Sequence, residues 1–104
     1  MVSQVSSREE RIARNERTAR DLMKSIEPAP ADTGAPAESV HIRILCECGR
    51  VQCDRVLAVT IAEYREVRAH PRRFAVARGH VMARVERVVA RTDRYLVVEE
   101  RESA

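Results

Sequence analysis

Aromatic residues are almost missing from this chain. Phe74, Tyr64 and Tyr95 are the only three in 104 residues, and tryptophan is absent. Large rings supply much of the buried area of small cores, so this core must be made from Val, Ile, Leu and Ala. Domains below about 70–80 residues rarely bury enough apolar surface to stand alone, and usually add a disulfide, a metal or a second subunit. Long apolar runs are missing too. No stretch approaches the ~18 residues of a membrane span, and the opening MVSQVSSREER has no apolar block of the signal-peptide kind. A cytoplasmic protein without a membrane partner is therefore expected. Cysteine is scarce, and its count of three would leave a disulfide framework with an orphan. In a reducing compartment such thiols bind metal more often than they pair. Lysine is nearly absent: Lys24 stands alone among 19 basic residues, the rest being arginine. Such a skew fits the codon bias of a GC-rich genome better than a design for phosphate. Residues 1–38 hold six basic and seven acidic groups, and residues 39–104 hold thirteen and nine. That surplus is a modest field beside those of dedicated nucleic-acid binders.

What is present divides the chain into four parts. Residues 1–7 are polar and expected to be disordered. Residues 8–26 read as an amphipathic helix: Ser7 and Glu10 can form a capping box, and Glu9 and Glu10 favour the positive end of the dipole. Its apolar stripe runs Ile12, Ala19, Leu22, Met23 and Ile26, with Asn15 on the same face. Positions 12, 15, 19, 22 and 26 also fit a short heptad seam. The helix can dock on its own domain, pair with a second subunit or stand free. Residues 27–39, EPAPADTGAPAES, form a Pro/Ala-rich linker with nothing to bury.

Residues 40–101 are expected to form an α+β domain with a short antiparallel sheet and one helix. Val40, Ile42 and Ile44 alternate as the inner face of a strand. Arg55 to Val59 reads as a second short strand. Thr60 to Glu63 is a capping box opening a helix that His70-Pro71 ends. Phe74 to Ala77 is a strand, followed by a turn at Arg78-Gly79-His80. Residues 81–92 admit helix or strand; their valines and the Thr92-Asp93-Arg94 turn favour a hairpin with Tyr95 to Glu99.

The chemistry lies in CECGRVQC, residues 46–53, which places three thiols within eight residues. Zinc takes four ligands in a tetrahedron and favours thiolate and imidazole. Gly49 is expected to give the loop its backbone freedom after the second thiol. The fourth ligand must be a histidine. His80, in the Gly-His turn after a strand, is the first choice, His70 the second, and His41, on the outer face of its strand, the weakest. The predicted ligand set is Cys46, Cys48, Cys53 and His80. A redox pair normally has two residues between its thiols, whereas one separates Cys46 from Cys48. An iron–sulfur cluster would want a fourth cysteine. Hydrolytic zinc keeps an open position and adds a base, and here four protein ligands close the site. A structural ion is expected. Glu47, between two ligands, is expected to face solvent or to support the ligands from behind.

RNER (14–17), CECGRVQC (46–53), LAVTIAEYREVRAHPRRFAVARGH (57–80) and VVARTDRYLVVE (88–99) resemble a family of small uncharacterised proteins of actinobacteria. The resemblance spans roughly residues 10 to 100, and its sharpest parts are the cysteine cluster, the EYREVR helix and the Gly-His turn. It implies an actinobacterial origin and a recurring Cys/His set, and no activity.

No Ser, Thr or carboxylate forms a recognisable catalytic set with a histidine, so no enzyme is expected. Glu63 and Glu66 read as the exposed face of their helix. The function expected is a zinc-binding interaction module, a regulatory accessory whose helix 8–26 contacts another protein or a second copy. The alternative is nucleic-acid binding through Arg65, Arg68, Arg72, Arg73, Arg78 and Arg84, testable by its salt dependence.

Overall fold

A computed structural model describes residues 7–25 and 39–101. Apart from Ser7 and Ser39, the expected disordered start and the linker lie outside the described residues, as does Ile26.

The first helix, α1, runs Arg8–Ser25. Its start carries the capping box read from the sequence: Glu10 N–H donates to Ser7 Oγ at 3.1 Å, and Ser7 N–H to Glu10 Oε1 at 2.8 Å. Strands β1 (His41–Leu45) and β2 (Val56–Thr60) pair antiparallel, with His41 opposite Thr60 and Leu45 opposite Val56. Ile42 and Ile44 of β1 and Leu57 and Val59 of β2 point into the core. Val40 does not join them; it precedes the strand, is exposed, and its carbonyl accepts from Ile61 N–H instead.

Helix α2 (Ile61–Arg68) follows β2 directly, with Thr60 as its N-cap and a complete capping box through Glu63. It buries Ile61, Tyr64 and Val67, the i, i+3, i+6 face of a short helix. Strand β3 (Arg73–Val76) comes next, then a turn whose Gly79 has φ +82°, in the left-handed region where only glycine sits without strain. Residues 86–91 form β4 and residues 96–100 form β5, so the hairpin reading of the ambiguous segment holds. Residues 81–85 lie in loop and turn, and Val89 forms a bulge between the pairs at Val88 and Ala90.

The described residues make a small α+β fold with two helices and two antiparallel sheets, where a short antiparallel sheet was expected. One sheet is β1-β2; the other has the order β3-β5-β4. The central strand β5 buries Leu96, Val97 and Val98 in succession, as a strand covered on both faces does. Two features bridge the sheets. Glu47 N–H donates to Ala75 O at 2.8 Å, and Arg94, from the β4–β5 turn, donates to Ala58 O and to both carboxylate oxygens of Glu63.

Of the three arrangements open to α1, the structure shows docking on its own domain. Ala19 is buried, and Ile12, Leu22 and Met23 pack partly against the core. The buried seam also contains two residues that composition alone would leave in water: Arg11 and Asn15, each 1% exposed. No helix among the described residues is long and apolar enough to cross a membrane.

Candidate metal centre

The cysteines occupy the loop between β1 and β2. Its base is closed by Cys46 N–H donating to Arg55 O at 2.9 Å. Cys46, Glu47 and Cys48 are all fully buried. Alternation along an extended segment sends residues 46 and 48 to one side and residue 47 to the other. One side carries the thiols, and the other faces the core.

His80 reaches the thiols from the turn after β3. Its Nδ1 lies 3.6 Å from Cys46 Sγ and 3.5 Å from Cys53 Sγ. The four donor atoms of Cys46, Cys48, Cys53 and His80 all lie within 4.8 Å of one another. This group can hold a metal ion. In a tetrahedral site with bonds of about 2.3 Å to sulfur and 2.0–2.1 Å to nitrogen, the sulfur–nitrogen edges are about 3.6 Å, and the two observed separations match that edge. His70 stands elsewhere, 3.3 Å from Glu66, and His41 is exposed on β1.

The protonation chemistry suits a cation. Burial pushes the Cys46 thiol up to about 12, and the neighbouring thiols add to the rise. Cys53 is pulled the other way: burial opposes its ionisation, but the Arg55 backbone N–H, the Cys48 and Cys46 thiols and the Arg11 charge together bring it below the usual thiol range. Burial, with Arg50 and Arg55 nearby, lowers His80, which keeps its imidazole neutral and its lone pair available. A bound dication would favour all three thiolates at once. Ala77 N–H already donates to Cys46 Sγ at 3.2 Å, as a backbone amide does to a metal thiolate.

The loop is shaped differently from expectation. Gly49 does not take a positive φ; Gln52 does, at 61°. A Cβ at Gly49 would come within 2.8 Å of Met82 Sδ, the end of an exposed and flexible side chain that can shift aside. Neither backbone freedom nor a rigid close neighbour demands glycine at this position.

Around the loop stands a set of polar residues that the sequence reading missed. Arg11 donates from Nε to Cys46 O at 3.0 Å and from Nη2 to Cys48 O at 2.6 Å and Arg50 O at 2.8 Å. Three thiolates and a neutral imidazole around a dication carry one net negative charge, and Arg11 is placed to balance it. Arg8 donates to Glu47 O at 2.9 Å, pairs with the buried Glu86 carboxylate and stacks over Phe74 at 4.0 Å. Asn15 clamps Leu45, donating to its carbonyl and accepting from its N–H, both at 2.8 Å.

Glu47 faces neither solvent nor the thiols. Its carboxylate accepts from Tyr64 Oη–H at 2.6 Å, Asn15 Nδ2 at 3.0 Å and Ala75 N–H at 3.1 Å, with Arg68 at 3.6 Å. It joins α1, α2 and β3 to the cysteine loop. The signals that could have found these residues are slight: Arg11 and Asn15 stand four apart on the apolar stripe of α1, and Glu47 alternates with two buried ligands. Glu63, read as exposed, is half-buried, because it caps α2 and takes the Arg94 fork.

Four of the arginines of residues 65–84 hydrogen-bond within the chain. Arg68 donates to Arg73 O, Arg72 to Glu100 O, Arg73 to Glu99 and Arg78 to Thr92 O. Set against protein-family models, curated proteins and solved structures, the chain matches none.

Proposed function

We propose that this chain is a non-catalytic interaction module whose fold is held by one structural zinc ion on Cys46, Cys48, Cys53 and His80. The observation that carries the reading is the convergence of three thiols and one imidazole nitrogen within 4.8 Å. Sulfur-rich tetrahedral sets favour zinc over the harder divalent ions. Four protein donors fill the tetrahedron, so the ion has no open position at which to activate water. The reading requires a reducing compartment, such as the cytoplasm, in which the thiols persist. It assigns the zinc a mechanical task. The ion fixes the loop, the loop carbonyls hold α1 through Arg11, and the two helices then present a fixed surface to a partner protein, as a regulatory accessory would.

Elemental analysis of purified protein tests the metal: about one zinc per chain is expected, lost when any of the three cysteines becomes serine. Binding that requires the folded state contributes its free energy to folding. Chelation should therefore abolish the cooperative melting transition. A stripped protein that melts as before would overturn the reading.

A further inference from the structure

Between α1 and α2 runs a groove of about 470 Å³, a volume within the range of ligand sites. Its floor is apolar, made by Ala19 and Met23 of α1 and Ile61 and Tyr64 of α2. Its rim is predominantly basic: Arg20, Lys24 and Arg65 stand there with a single acid, Glu16, while Arg68, also on the lining, pairs with Glu47 at 3.6 Å. Among the described residues, Arg20 and Lys24 meet no acidic group.

We propose that this groove docks an acidic amphipathic helix of a partner protein. The proposal names the partner class of the interaction module described above and rests on that reading. Two helical walls over an apolar floor accept a third helix, which lays down apolar anchors at i, i+3, i+4 and i+7. Acidic residues flanking those anchors meet the cationic rim. A basic or neutral helix of the same shape would bring like charge, or none, to it. The groove is also fixed by the metal loop. The first half of α1 is held there by Arg8, Arg11 and Asn15, which sets the position of its second half, where the groove lies. Tyr64, on the groove floor, donates to Glu47 of the same loop at 2.6 Å.

The test uses the full chain, with its zinc content measured in the same sample. The probe is a capped synthetic peptide of about 16 residues, long enough to populate helix, with leucines at the anchor spacing and glutamates beside them. A second peptide carries lysines in place of the glutamates. Backbone amide NMR should show shifts confined to residues 16–24 and 61–68 when the glutamate peptide is added. Fluorescence anisotropy should give a dissociation constant about tenfold weaker for the lysine peptide, and about tenfold weaker for the R20E/K24E double variant, whose exposed positions lie away from the metal loop. The variant's melting transition should be unchanged. Silent groove residues at about 1 mM peptide, or equal binding of both peptides, would overturn the proposal. So would groove shifts that grow with protein concentration alone, because a second copy would then be the occupant. If the protein carries zinc and the groove is silent, the docking fails and the metal reading stands. If it carries none and the groove still responds, the metal reading fails and the docking stands.

Discussion

Replacing Arg11 by methionine removes a charge and its donors while keeping most of the side chain's length. The wild-type guanidinium serves three carbonyls, at 3.0 Å on Cys46, 2.6 Å on Cys48 and 2.8 Å on Arg50. Arg50 is exposed, so water can take over its carbonyl. Cys46 and Cys48 are sealed, and their carbonyls lose this donor without such a substitute. At about 1–3 kcal/mol for each buried acceptor left unmade, the two cost about 2–6 kcal/mol. Relief from burying a guanidinium offsets part of this, leaving about 2–4 kcal/mol. For a domain of this size, each kcal/mol lowers the melting temperature by about 4–8 °C, so a drop of roughly 15 °C is expected. Circular dichroism melts with saturating zinc provide the measurement. Competition with a chromophoric chelator should show weaker zinc retention as well, because the centre loses the positive charge that balances its thiolates. Arg11→Lys keeps that charge but not the fork, and should recover zinc retention more than melting temperature. A methionine variant melting within about 2 °C of wild type would refute the idea that these carbonyls hold the helix.

Two further predictions concern residues that are not themselves candidate ligands. Glu63 is held at about 2, chiefly by the Arg94 fork and then by the Thr60 cap, against the effect of burial. A depressed carboxylate stabilises the fold above its ordinary value of 4.5, and that stability is lost as pH falls toward 2. Since the side chain is 31% exposed, Glu63→Gln should cost only about 1–2 kcal/mol at pH 7. In parallel urea titrations the gap between variant and wild type should close on acidification; a gap that widens would contradict the assignment. Gly79→Ala forces a methyl side chain into φ +82° and should cost about 1 kcal/mol. Gly49→Ala presses on the exposed, flexible Met82 side chain and meets Arg8 at ordinary contact distance, and should cost less than about 0.5 kcal/mol. Denaturation with saturating zinc ranks the two, and the reverse order would refute the distinction.

Local rules carried much of the architecture. Both capping boxes, at Ser7 and Thr60, sit where their residue types place them, since a cap is satisfied within four residues and needs no tertiary partner. The alternation of Ile42 and Ile44 marked β1 for the same reason. The four Cys and His side chains could be grouped because few residue types ligate metal, and only one histidine followed a strand into a turn. The rest depends on contacts far apart in sequence. Arg11 is buried because carbonyls some 35 residues away converge on it, and no window around residue 11 contains them. Glu47 is buried because Tyr64, Asn15 and Ala75 arrive from three other elements. Charge patterning assigns such residues to solvent by default. Val40 failed for a smaller reason: the alternation ran one residue beyond the last ladder pair. The division into two sheets was hidden because strand pairing between β3 and β5 skips β4.

The carbonyls that meet Arg11 point together only after the cysteine loop has wrapped. Before that, α1 has no polar counterpart to find, and its sparse apolar stripe gives a short helix little reason to settle. The seat of α1 is therefore only as durable as the wrapped loop: whatever unravels residues 46–50 also takes away the polar surface on which the helix rests.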